Sequence, residues 1–173
     1  GQFVLSANEG EPKSYCLTDG KLPTSTDPYG SVSIIDINAE TPVATTLTFE
    51  AFDERASAIA FEGGRIFGPN ATVAQDLEPE YISVSPDSKY AFVTLQENNA
   101  IAVVDIASRT VTSIKPLGFK DHSLAGMGMD VSDEDGGTNT TSGSPATKIA
   151  PVPTKGLYLP DAIASYQVAG QTY

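Results

Sequence analysis

Tryptophan is absent, cysteine and histidine occur once each, and 10 lysines and arginines stand against 22 aspartates and glutamates, for a net charge of −12. Each shortage excludes something. One cysteine, Cys16, forbids an internal disulfide: it is either a thiol packed in the loop 8–30 or bonded to a cysteine outside this segment. One histidine, His122, leaves little material for a histidine-based zinc site or a Ser-His-Asp triad. Beside Asp121 it reads first as a hydrogen-bonded side chain and second as an acid/base group or ligand. The nucleophile elbow G-x-S-x-G, the phosphate loop G-x-x-x-x-G-K-[ST], H-E-x-x-H and C-x-x-C are all missing. No apolar run reaches 18 residues and the start shows no signal-peptide pattern, so no membrane-spanning segment is expected. The acidic balance (pI near 4.2) argues against nucleic acid, whose phosphates repel such a surface. Divalent cations and basic partners are its natural counterparts.

The clearest organisation lies in residues 78–114, "EPEYISVSPDSKYAFVTLQENNAIAVVDIASRTVTSI". Ile82, Val84, Tyr90, Phe92 and Thr94 alternate with smaller or polar neighbours, and 100–106 is a nearly continuous apolar run, the pattern of a strand covered on both faces. Pro86-Asp87-Ser88-Lys89, Gln96-Glu97-Asn98-Asn99 and Ala107-Ser108-Arg109-Thr110 supply turn chemistry between the runs. Short strands with tight turns predict an antiparallel meander. Four strands in about forty residues are the size of one β-propeller blade. Residues 3–7, 31–37 and 43–49 are further β-rich runs, and Val32-Ser33-Ile34-Ile35-Asp36-Ile37 repeats the pattern of Ala102-Val103-Val104-Asp105-Ile106. The expectation is all-β: at least two four-stranded blades, no long helix, and Ile82, Val84, Phe92, Val103, Val104 and Ile106 buried.

The 78–114 stretch resembles the YVTN-type blade, with "SPDSK", "AFVTL", "QENN" and "IAVVDI" in that order. Over nearly the whole chain, "ANEGEP", "DPYGSVSIID", "ATVAQDLEPEYISVS", "VTLQENNAIAVVDI", "LGFKDHS", "DVSDEDGG" and "LPDAIASY" resemble the choice-of-anchor I family, which includes mesenchyme-specific cell-surface glycoproteins. The resemblance implies a secreted, cell-surface or periplasmic β-propeller. Gly1-Gln2 opens the chain before a strand and Gly170-Gln171 follows the strand-like run 162–168, so residues 1–173 read as part of one propeller domain, about two blades. Unclosed blades expose strand edges. Remaining blades or partner subunits are expected to complete the ring, and the segment alone to associate or aggregate.

Three insertions, 8–30, 53–80 and 121–160, interrupt the blades and are expected at the faces of the disc, where function collects. The third is acidic, then rich in Gly, Ser and Thr. Asp130, Asp133 and Asp135 followed by Gly136 approximate an oxygen-rich calcium loop, with Asp121 nearby. The spacing departs from the EF-hand, and Thr141 stands where that motif carries its last glutamate. The alternative is a solvated acidic loop. Glu9, Glu11, Asp76, Glu78, Glu80 and Glu97, with His122, are candidate face-loop ligands. As turn residues they need no function; as ligands they require several blades to point carboxylates into one site. Asn70-Ala71-Thr72 and Asn139-Thr140-Thr141 fit the N-x-[ST] glycosylation pattern.

Two functions remain. The first is a calcium-binding surface propeller in adhesion, matrix or mineral-associated interaction. The second is an extracellular metal-dependent phosphatase-type hydrolase, or the non-catalytic partner domain of one.

Overall fold

The computed structural model describes residues 1–11, 28–132, 138–139, 144–145 and 147–173. Cys16, Asp133, Asp135 and Gly136 lie outside the described residues. The chain divides into two compact units, one formed by 1–118 with 159–173 and one by 119–158.

In the first unit β1 (Phe3–Asn8), β2 (Ser31–Asp36) and β3 (Val43–Thr48) form a three-stranded antiparallel sheet in chain order. β4 (Pro79–Val84), β5 (Tyr90–Leu95), β6 (Ala100–Asp105) and β7 (Thr110–Pro116) form the four-stranded meander. Its three turns close on residues with positive φ: Ser88, Asn99 and Arg109. Side chains make those turns affordable: Asp87 accepts from the Lys89 N–H, and Asp105 from the Ser108 N–H. Among the described residues one sheet has four strands and the other three, where two four-stranded blades were expected. The arrangement is all-β in character, with antiparallel sheets, few helices and no closed barrel among the described residues, consistent with a partial propeller-like fold.

The buried face differs from the expected one. Ala91, Val93 and Leu95 of β5 and Ala100, Ala102 and Val104 of β6 are fully buried. Phe92 and Val103 pair across the strands on the opposite face and are half-buried. Ile82 is half-buried, Val84 on the edge strand β4 is exposed, and of the six expected core residues Val104 and Ile106 are buried. A period of two leaves the choice of face to parity, and the small residues, not the large ones, take the close-packed side. β6 also alternates fully buried with half-buried, so it is not equally covered on both faces.

The second insertion, 53–80, contributes to the core. A 3₁₀ turn (Glu50–Arg55) leads into it and α1 (Ala56–Phe61) and α2 (Val73–Asp76) lie within it; Phe52 just before it and Ile59, Val73, Ala74 and Leu77 inside it join the core. α2 starts with a reciprocal cap: Gln75 N–H donates to the Thr72 hydroxyl, and Thr72 N–H to the Gln75 side chain.

The second unit contains β8 (Lys120–Asp121), β9 (Thr138–Asn139), β10 (Ser144–Pro145) and β11 (Lys155–Gly156), paired β8 with β11 and β9 with β10. In the first unit β12 (Gln167–Val168) and β13 (Gln171–Thr172) form a hairpin closed by stacked Tyr166 and Tyr173. The expected strand 162–168 is therefore limited to its last two residues; Ser165 instead bonds Ser83 and the Val84 carbonyl.

Candidate metal centre

Three separate pieces of chain bring glutamates together. Glu9 follows β1, where the Asn8 amide holds the Ser31 and Ser33 hydroxyls. Glu78 stands between the end of α2 and β4, and its main-chain N–H donates to Asn98 Oδ1 at 3.0 Å. Glu97 lies in the β5–β6 turn beside Asn98. The Asn98 amide nitrogen donates to the Arg65 and Asp76 carbonyls (3.0 and 2.8 Å) and to Asp76 Oδ2 (3.0 Å). One fully buried amide thus fixes the backbone at two of the three glutamates.

Glycine sets the third. A Cβ added to Gly30 would lie 1.8 Å from the Leu77 carbonyl oxygen, and one added to Gly10, at φ +78°, would lie 2.8 Å from the Pro28 carbonyl oxygen and 3.0 Å from Gly30 N. Gly10 rests on 28–30, and Gly30 on the residue preceding Glu78. Glu9 and Glu78 meet because neither glycine has a side chain.

One carboxylate oxygen from each of Glu9, Glu78 and Glu97 lies within 4.8 Å of the other two. Glu78 is 3% exposed, and its carboxylate has no hydrogen-bond donor among the described residues. Glu97 Oε2 is buried and also without a partner. The ion pairs of the described residues join Arg55 to Glu62, Lys89 to Asp87 and Arg109 to Asp36, so among the described residues no ion pair neutralises the cluster; Arg65 donates to the Glu97 main-chain carbonyl and not to its carboxylate. Burial, followed by the charges of Glu97 and Glu9, pushes the Glu78 carboxyl up to about 7. Glu9 is raised by burial, then by the charges of Glu11 and Glu97, and Glu80 by burial, then by Glu97, Asp161 and Glu9. Three crowded carboxylates, one buried and unpaired, have two ways to settle: bind protons or bind a cation.

The donors are all oxygen, which suits a hard cation. Zinc prefers the nitrogen and sulfur that these three residues lack. Calcium accepts about six to eight oxygens at about 2.3–2.6 Å in flexible geometry, so carboxylates within this distance of one another fit its sphere, with water completing it.

The other candidates are placed differently. Glu11 is exposed, and its charge reaches both Glu9 and Glu78. Glu80 is exposed on the same face, where Asp161, which the sequence reading did not single out, adds to its repulsion. Asp76 is buried and accepts from the Phe67 and Gly68 N–H groups as well as Asn98, so it holds backbone. In the second unit Asp121 accepts from the Ser123 N–H and hydroxyl, and Asp130 from the Lys148 N–H. His122 Nδ1–H donates to the Met127 carbonyl at 2.7 Å. Of the proposed calcium loop, Asp133 and Asp135 lie outside the described residues. Asn70 is exposed.

An apolar cavity of 520 Å³ is lined by Phe3, Leu5, Val84 and Ile106, near the opposite end of β1 from Glu9. It contains no carboxylate among its lining residues and is separate from the glutamates.

The family model of the choice-of-anchor I domain matches residues 1–173. Comparison with curated proteins and with solved structures returned no match.

Proposed function

The chain belongs to the choice-of-anchor I family, a description of extracellular or cell-surface proteins, and we propose that it serves there as a calcium-binding interaction domain whose ion sits among Glu9, Glu78 and Glu97. One observation carries the reading: three carboxylates from three separate pieces of chain converge, and among the described residues nothing donates to the Glu78 carboxylate, the most buried of them, or to the buried Glu97 Oε2. The exposed carboxylates Glu11, Glu80 and Asp161 make the surrounding face attractive to cations and to basic partners, which supports an adhesion, matrix or mineral-associated role. No helix of the described residues is long and apolar enough to cross a membrane. Exposed Asn70, and Asn139 in the second unit, are the proposed glycan acceptors.

Isothermal calorimetry with calcium chloride tests the reading. The expected dissociation constant is on the order of 10⁻⁴ to 10⁻³ M, the range of extracellular calcium modules. The combined change Glu9→Gln, Glu78→Gln and Glu97→Gln is expected to abolish binding, while Asp133→Asn with Asp135→Asn leaves it within twofold. The reverse outcome moves the ion to the acidic loop. Hydrolysis of p-nitrophenyl phosphate with and without calcium, in the same preparations, tests the hydrolase alternative.

A further inference from the structure

The two ends of the paired sheets are fastened in different ways. At one end Arg109, in the β6–β7 turn, reaches the first sheet: it donates to Thr45 Oγ1 at 2.9 Å, lies 3.7 Å from Asp36 Oδ2, and covers the Phe3 ring at 5.4 Å. Phe3 and Asp36 are register partners at the start of β1, so this clamp is self-contained and electroneutral. At the other end of β1 the equivalent meeting point is Glu9 against Glu78 and Glu97, three acids that form no ion pair among the described residues. The backbone allows close approach there through Gly10 and Gly30, while the side chains repel.

We propose that the cation bound by Glu9, Glu78 and Glu97 is the fastener at that end, locking the β1–β3 sheet to the β4–β7 sheet, so that calcium controls how tightly the two are joined. This rests on the cation reading above. Glu9 directly follows β1 of the first sheet, whereas Glu78 directly precedes β4 and Glu97 lies in the β5–β6 turn of the second, so an ion touching all three bridges the two sheets. Without it, β1 and β4 still pack and Arg109 still holds, but the Glu9 end opens by local fluctuation more often than the Arg109 end. The ion binds the closed arrangement better than the open one, and that difference in affinity is what shifts the population.

Hydrogen–deuterium exchange, read peptide by peptide with and without calcium and paired with calorimetry on the same sample, tests the proposal. Saturating calcium is expected to slow exchange at least tenfold at residues 9–11, 28–31 and 77–80, and less than twofold around Asp36 and Arg109. The triple glutamine variant keeps the shapes while removing the repulsion; it is expected to bind no calcium and to show no calcium effect on exchange. Arg109→Gln is expected to loosen the other end in calcium and chelator alike, leaving calcium affinity within threefold. If calorimetry shows calcium bound at the glutamates while exchange at the Glu9 end is unchanged, the fastener idea is overturned and the cation site stands. If calcium does not bind at all, both fall together.

Discussion

Asn98 Oδ1 accepts the Glu78 main-chain N–H at 3.0 Å, while the Asn98 amide nitrogen is shared between the Arg65 and Asp76 carbonyls and Asp76 Oδ2. The side chain is fully buried, and of the groups it satisfies those of Asp76 and Glu78 are buried with it. Asn98→Ala is expected to cost about 3–4 kcal/mol, because it strands several buried polar groups at once. The measurement is urea unfolding in chelator. A loss below about 1 kcal/mol would mean that water replaces the amide and that Asn98 does not organise the site.

Stability without metal is expected to fall as pH rises. Glu78, raised to about 7 from an ordinary value near 4.5, binds a proton in the folded chain across a range where the unfolded chain has lost it. Its stabilising contribution is therefore full below about 4.5 and is lost as pH climbs through about 7; Glu9 and Glu80 act in the same direction. The change from Glu78 is roughly 1–3 kcal/mol. Thermal melts in chelator between pH 4.5 and 8 measure it. Glu78→Gln is expected to flatten the profile and raise the melting temperature at pH 8; a profile as steep as the parent's would place the titration elsewhere.

Calcium is expected to raise the melting temperature with the logarithm of its free concentration once above the dissociation constant, since it binds the folded chain preferentially. At a hundredfold excess over that constant the gain is about 2.7 kcal/mol. Glu97→Gln removes one negative charge while keeping the turn, and is expected to shift the curve to at least tenfold higher calcium. Magnesium, which demands tighter octahedral geometry and keeps its water, is expected to give a smaller shift at equal concentration. Equal shifts for parent and Glu97→Gln would remove this residue from the site.

The strands were legible in the sequence because their turns are written in it: Asp87, Asn99 and Arg109 sit where a short β-connection needs them, and the apolar runs between have the right length. The face was harder. Phe92 and Val103 look like core by size, but Ala91, Val93, Ala102 and Val104 have the parity that faces the packed side. Each glutamate of the cluster was visible as a polar turn residue, and their convergence on one site stood as one of two open readings; which of the candidates meet was not legible. It depends on Gly30 seating against Leu77 and on Asn98 reaching Glu78, contacts between residues far apart in the chain. The spacing of Asp130 and its neighbours drew attention because it is local, and local spacing is what a single sequence displays best.

Gly30 offers the sharpest test of how the first glutamate is placed. A methyl group there would lie 1.8 Å from the Leu77 carbonyl oxygen and 2.8 Å from Pro79 Cδ, far inside van der Waals contact. Neither neighbour is a flexible side-chain end, so the backbone at 28–30 must withdraw from 77–79. Gly10 packs on Gly30, and Glu9 moves with it. Gly30→Ala is expected to destabilise the chain by about 1–3 kcal/mol and to weaken calcium binding at least tenfold. Because Gly30 touches no ion, a purely structural role predicts loss of stability with unchanged affinity in the folded fraction. Calorimetry at a temperature where the variant remains folded separates the two, and an affinity within twofold of the parent would show that Glu9 reaches the site independently of this packing.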